Sequence, residues 1–226
     1  RLLEAVEECR ADGVLIAGDM LTSQVSGSFA PALETVSALA EKYPVYYANG
    51  NHEYRVKTDT ERYEDRYERY AKQLRRAGVV LLENESVLLP ETGIRISGVE
   101  IDMDYYKKLR KSVMKVSYLN SLLGRPCADE YNILLAHNPD YFQAYAGWGA
   151  DLVLSGHVHG GIMRLPVLGG VLSPALRLFP RYDGGLYEEG KSKMVLGRGL
   201  GTHTLPIRVF NPGELIVVRL EPERGN

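Results

Sequence analysis

Four short apolar runs, each stopping at residues that can bind a cation, constrain this chain more than any other feature. Residues 14–17 run into Gly18-Asp19, and residues 45–48 into Asn49-Gly50-Asn51-His52-Glu53. Residues 133–136 end at His137, and residues 152–154 lead through Ser155-Gly156 to His157 and His159. Runs this short and apolar are buried strands, and the first two are separated by a stretch with Phe29, Leu33, Val36 and Leu39 at helical spacing. Alternation of that kind predicts an α/β fold with a largely parallel sheet covered on both faces. In such sheets the carboxyl ends of parallel strands form the crevice where ligands sit. Asp, Asn and His placed on those ends would gather into one cluster from distant parts of the sequence.

The rest of the chain frames that pattern. Residues 59–76 are charged and helical, with Tyr63, Tyr67, Tyr70 and Leu74 as a packing stripe. Residues 79–82, 87–89 and 94–99 read as strands joined by short connections, which predicts antiparallel pairing. Residues 102–130 read as an irregular excursion over the sheet, and from Gly185 onward strand candidates return, closing with residues 215–220. No repeat or linker interrupts the 226 residues, so they read as one domain. Residues 1–11 read as a helix with Leu2, Leu3, Val6 and Cys9 on one side and no capping residue before it, which predicts that the sequence starts inside an element.

Composition excludes several classes. A formal net charge of -2 argues against a dedicated nucleic-acid binder, so no nucleic-acid partner is expected. Two cysteines far apart, Cys9 and Cys127, supply neither a disulfide framework nor a thiolate metal site, and Cys9 reads as a buried thiol. No apolar run approaches the roughly 20 residues of a membrane-spanning helix.

The donor types point to transition-metal chemistry. Imidazole favours zinc, iron, copper or nickel, and oxygen donors admit manganese, whereas three histidines are foreign to a magnesium site. Two such ions about 3.5–4 Å apart can clamp a phosphoryl group and activate a water between them. Each piece alone is weak: Gly18-Asp19 is also a common turn, and a solitary His137 is also a hydrogen-bonded core residue. Gly156-His157-Val158-His159-Gly160-Gly161 is more specific, because alternate residues of an extended segment share a side and glycines permit close backbone approach.

Taken in this order, Gly18-Asp19, Gly50-Asn51-His52-Glu53, His137 and Gly156-His157-Val158-His159 resemble the calcineurin-like metallophosphoesterases over nearly the whole chain. The resemblance implies a four-layer sandwich: two mixed β-sheets face to face, flanked by helices, with a dinuclear site at their edge. It implies two divalent transition-metal ions (Mn, Fe or Zn), with Asp19 bridging them, Asn51, His137 and His157 on one, and His159 on the other. It gives His52 the general-acid role and Glu53 a supporting one, orienting its neighbours. The family's opening Asp-x-His motif has no counterpart here, and the helical start predicts that it lies upstream of Arg1. The aspartate that often follows Gly-Asp is also absent, since Thr22 holds that spacing.

The glycines after the histidines, Gly199-Leu200-Gly201 and residues 206–214 resemble a bacterial branch whose members often carry an N-terminal membrane tether or are exported. Some members resemble enzymes that cleave a lipid-linked nucleotide diphosphate. This implies a phosphodiesterase or pyrophosphatase acting on a small-molecule phosphate ester, a diphosphate or a lipid head group, with phosphomonoesterase and non-catalytic binding module as alternatives. It implies membrane association or export in a bacterium through a segment upstream, and otherwise a cytoplasmic location. His203 follows the glycine-rich turn as a substrate-facing candidate, and Arg198 and Arg208 are available phosphate partners. The basic run Lys107, Lys108, Arg110, Lys111 and Lys115 is by default a solvated face, and alternatively a patch that meets an anionic head group.

Overall fold

The computed structural model describes residues 2–107, 112–161, 163–165, 169–172, 181–201 and 208–222. Helix α1 (Leu2–Cys9) leads into β1 (Val14–Ile16), and α2 (Ala30–Ala40) crosses back to β2 (Val45–Ala48). Helices α3 (Asn51–Thr58), α4 (Thr60–Tyr63) and α5 (Arg66–Arg76) then connect β2 to β3 (Val80–Leu82). These strands form a parallel sheet in the order β1-β2-β3.

The second sheet is mixed. Strands β4 (Glu85–Leu88) and β5 (Ile94–Val99) pair as an antiparallel hairpin, and β6 (Tyr131–Ala136) and β7 (Leu152–Ser155) join β5 in parallel. Strands β8 (Met163–Leu165) and β9 (Gly169–Leu172) make a separate hairpin. Strands β10 (Gly185–Glu189) and β11 (Ser192–Leu196) complete the six-stranded order β10-β11-β7-β6-β5-β4. Helices α6 (Val116–Leu123) and α7 (Phe142–Trp148) cover its outer face.

The period of two along each strand builds the layers. In β2, Val45 and Tyr47 face the helices with Val36, Tyr70 and Leu74, while Ala48 faces the other sheet with Leu82, Ile96 and Leu135. In β6, Leu134 and Ala136 pack against Phe142 and Tyr145, and Ile133 and Leu135 turn inward to the first sheet. Three apolar interfaces therefore separate four layers: helices, sheet, sheet, helices. The tyrosine stripe of α4 and α5 is core, as its spacing predicts, with Tyr63, Tyr67, Tyr70 and Leu74 all buried.

Four expectations are corrected. Strand β3 is not antiparallel to β4; the long helical crossover returns it parallel to β2, and the chain passes to the other sheet at Asn84, whose φ is 59°. The stretch read as irregular holds a 3-10 helix (Met103–Tyr106) and α6, each too short for its helical spacing to stand out. Residues 215–220 are strand-like in composition but have no ladder partner among the described residues, and their apolar side chains are exposed. Cys9 is only partly buried, its thiol donating to the Ala5 carbonyl. No helix among the described residues is long and apolar enough to cross a membrane.

Candidate metal centre

The strand ends bring the sequence candidates together across the two sheets. Asp19 follows β1 with a φ of 56°, Asn51 opens α3 after β2, His137 follows β6, and His157 follows β7. Backbone packing forces the first two together. A Cβ on Gly18, whose φ is 89°, would lie 2.3 Å from the Gly50 nitrogen, and one on Gly50 would lie 2.2 Å from Asp19 Oδ1. Only glycine lets these two loops touch. The His52 amide then donates to Asp19 Oδ1 at 2.9 Å, which aims Oδ2 at the other sheet.

There Oδ2 meets His137 Nε2 at 2.8 Å. His137 Nδ1 lies 2.6 Å from the Ala17 carbonyl oxygen, an acceptor only, so the Nδ1 proton is committed and a neutral ring turns a lone pair on Nε2 toward a carboxylate. Two acceptors facing each other call for a cation or a proton between them. Burial pushes the His137 imidazole down, but Asp19 more than offsets it and the net shift is upward. Burial likewise opposes the Asp19 charge, yet His137, His52 and His157 together hold its carboxyl well below the usual range. The ring of His157 stands edge-to-face with His137 at 5.3 Å and with Tyr106 at 5.2 Å.

Ligand atoms of Asp19, His137 and His157 lie within 4.8 Å of one another. Asn51 Oδ1 is buried with no hydrogen-bond partner, and His137 Nε2 is buried with no donor. Buried polar atoms left this way are rare and demand a partner. The donor set and these atoms fit a divalent transition metal. His159 lies two residues on, with a φ of 50°, outside that three-residue group.

His52 and Glu53 sit beside the cluster with different surroundings. His52 Nε2 is 4.0 Å from Asp19 Oδ2, and its Nδ1 receives the Ser23 amide at 2.9 Å with the Ser23 hydroxyl at 2.8 Å. An amide can only donate, so in the neutral ring the proton is on Nε2, facing the site. Burial pushes the His52 imidazole down, with Asp19 pulling it back up. Glu53 is fully buried. Its Oε2 accepts from the amides of Asp19 (2.9 Å) and Gly50 (3.0 Å). Its Oε1 accepts from the amides of Met20 (2.8 Å) and Leu21 (3.3 Å) and from the Tyr47 hydroxyl (2.6 Å). Burial and the Asp19 carboxylate push its pKa up to about 7 against those donors. Glu53 thus staples the Gly18–Leu21 loop to α3.

Reasoning from sequence missed Ser23, Tyr47 and Tyr106, which carry no motif, and Tyr63, whose hydroxyl fixes the Ser23 carbonyl at 2.7 Å, was read only as packing. Arg198 and Arg208 are already engaged. Arg198 pairs with Glu214, and Arg208 donates to the carbonyls of Arg198, Gly199 and Gly201. Lys107 pairs with Asp104. His203 and residues 108–111 lie outside the described residues.

A carboxylate and two imidazoles converging at the carboxyl ends of strands from two packed sheets define an α/β protein with a candidate metal site. The family described as calcineurin-like phosphoesterase matches residues 1–161, and the chain belongs to it. It is 29% identical over 224 residues to an uncharacterized metallophosphoesterase of Helicobacter pylori, covering 98% of this chain and 54% of that one. It is 28% identical over 200 residues to the phosphodiesterase YaeI of Escherichia coli, covering 86% of this chain and 65% of that one. A transmembrane protein with a metallophosphoesterase domain from Danio rerio is 29% identical over 231 residues, 98% of this chain and 48% of its own length. The chain thus spans about half to two thirds of the length of these relatives. No solved structure matches.

Proposed function

We propose that this chain hydrolyses phosphodiester or diphosphate bonds, with Asp19, Asn51, His137, His157 and His159 holding two divalent transition-metal ions. The observation that carries the reading is the facing of Asp19 Oδ2 and His137 Nε2 at 2.8 Å, beside the unpartnered Asn51 Oδ1. When bound, such ions supply Lewis acidity toward a phosphoryl oxygen and lower the pKa of a water.

The chain's own residues do the rest. Ala17 fixes the His137 tautomer through its carbonyl, leaving Nε2 as the ligand atom. Asp19 is held at both ends, its amide by Glu53 and its Oδ1 by the His52 amide. His52 is the general acid: Ser23 occupies Nδ1 and directs the Nε2 proton to the side where a leaving oxygen would sit. Its side chain is 28% exposed, so a substrate can reach it. The substrate class is a small-molecule phosphate ester, a diphosphate or a lipid head group. The name of the Escherichia coli relative favours a diester over a monoester.

Turnover of bis(p-nitrophenyl) phosphate beside p-nitrophenyl phosphate, with manganese added, tests this reading. Preferential cleavage of the diester is the expected result. Preference for the monoester would move the assignment to a phosphatase, metal binding without cleavage of either would mean a narrow substrate requirement, and neither metal binding nor cleavage would move it to a binding module.

A further inference from the structure

The loop that carries His157 and His159 is held in an unusual shape by a residue from the far end of the chain. Four of its residues have positive φ: His157 at 69°, His159 at 50°, Gly160 at 70° and Gly161 at 86°. Side chains with a Cβ resist that region, and such backbone persists only where its surroundings enforce it. Inside the loop, Val158 N donates to the Gly156 carbonyl and Gly161 N to the Val158 carbonyl. These bonds close the turn but do not anchor it to the rest of the molecule.

Asn211 does. Its Nδ2 donates to the carbonyls of His159 at 2.6 Å and Gly161 at 2.8 Å, and the residue is 2% exposed. Both neighbours are acceptors, so only an amide nitrogen, with two hydrogens, satisfies both from one position. A carboxylate there would set a negative charge against two carbonyl oxygens. The loop accommodates Asn211 by having no side chain at residue 160, where a Cβ would lie 2.6 Å from Asn211 Oδ1. The Asn211 carbonyl receives Arg208 Nη1 at 3.5 Å, and the segment around it is braced. Glu214 N donates to the Gly199 carbonyl at 3.1 Å, Arg198 pairs with Glu214 at 2.7 Å, and Arg208 Nη2 donates to the Arg198 carbonyl at 2.9 Å.

We propose that Asn211 is a positioning residue for the metal centre, clamping the His157–His159 loop so that both imidazoles are presented at fixed angles. The proposal rests on the metal-centre reading above. It ties residues 208–214 to a site whose family match ends at residue 161.

Cobalt(II) titration of the metal-free protein tests it, read by the visible d–d spectrum and the dissociation constant, with thermal unfolding of the metal-free forms alongside. Asn211→Asp and Asn211→Ala should each weaken Co(II) binding by about 10–100-fold and change the band shape, since partners behind a ligand typically carry that much affinity. If Asn211→Asp fails to fold, Asn211→Ala, which only removes the two donated bonds, carries the same test. Wild-type affinity and spectrum in Asn211→Ala, even with a lower unfolding temperature, would overturn the proposal and leave the metal centre standing. Absence of Co(II) binding by the wild type would overturn the metal-centre reading, and this inference with it.

Discussion

Replacing Glu53 by glutamine should unfasten the loop that carries Asp19, and the cost can be worked from the bonds. The carboxylate is fully buried and accepts four amides and one hydroxyl across its two oxygens. Glutamine keeps one oxygen. If that oxygen stays with Met20, Leu21 and Tyr47, the new NH₂ replaces Oε2 and faces the amides of Asp19 and Gly50. Those two donors are then buried without an acceptor, at about 1–3 kcal/mol each, so the total loss is about 4 kcal/mol. For a chain of this size that lowers the unfolding temperature by about 8–16 °C. Tyr47→Phe removes one of the five donors to Glu53 and the long, 3.5 Å acceptor of the Tyr70 hydroxyl, so its loss should be about 1–2 kcal/mol. Urea denaturation of the metal-free proteins separates this from any loss of metal affinity. A Glu53→Gln variant within about 1 kcal/mol of the parent, or no more destabilised than Tyr47→Phe, would refute the reasoning.

Gly50→Ala places a Cβ 2.2 Å from Asp19 Oδ1 and should lower manganese affinity by about 10–100-fold in calorimetric titration. His52→Ala should cut turnover by about 10²–10⁴-fold while metal content by elemental analysis stays near the parent's; loss of the metal would show that His52 is wrongly assigned. Glu83 sits among Lys57, Tyr67 and Arg75, which hold its carboxyl below the usual range although burial works the other way. A depressed pKa means the folded state binds that proton less readily than the unfolded chain. Its contribution is therefore present at neutral pH and lost as the pH falls through the folded-state value. Glu83→Gln should cost about 2 kcal/mol at neutral pH, with the gap to the parent narrowing as the pH falls below the ordinary carboxylate range in denaturation curves.

Much of the site was legible because its residues stand at strand ends, where a local signal, an apolar run stopping at a polar group, also marks a position in space. Asp19, Asn51, His137 and His157 stand out that way, and the sheets bring Asp19, His137 and His157 together. Their supports were not legible in the same way. Ser23 meets His52 through a backbone amide, which any residue carries, and Asn211 reaches the loop from 50 residues away. Tyr47 alternates inside a strand like any core residue and shows its purpose only through the hydroxyl on Glu53. The pairing of β3 was misread for a related reason. Short connections on its C-terminal side suggested a hairpin, but the crossover through α3 to α5 and the burial of Leu81 among the helices' side chains put it in the parallel sheet. In residues 215–220 composition measures fit to a pleated surface, not the presence of a partner, and the described residues supply none.

In the proposed function the Asp19–His137 pair holds a metal required for phosphoester cleavage. Bound metal and bis(p-nitrophenyl) phosphate turnover, measured on the same samples as manganese is returned to stripped protein, test it most directly, with His137→Ala run in parallel. Turnover should rise with bound metal in the parent, and His137→Ala should lose both. Turnover by the stripped parent, or full metal content in His137→Ala, would contradict it.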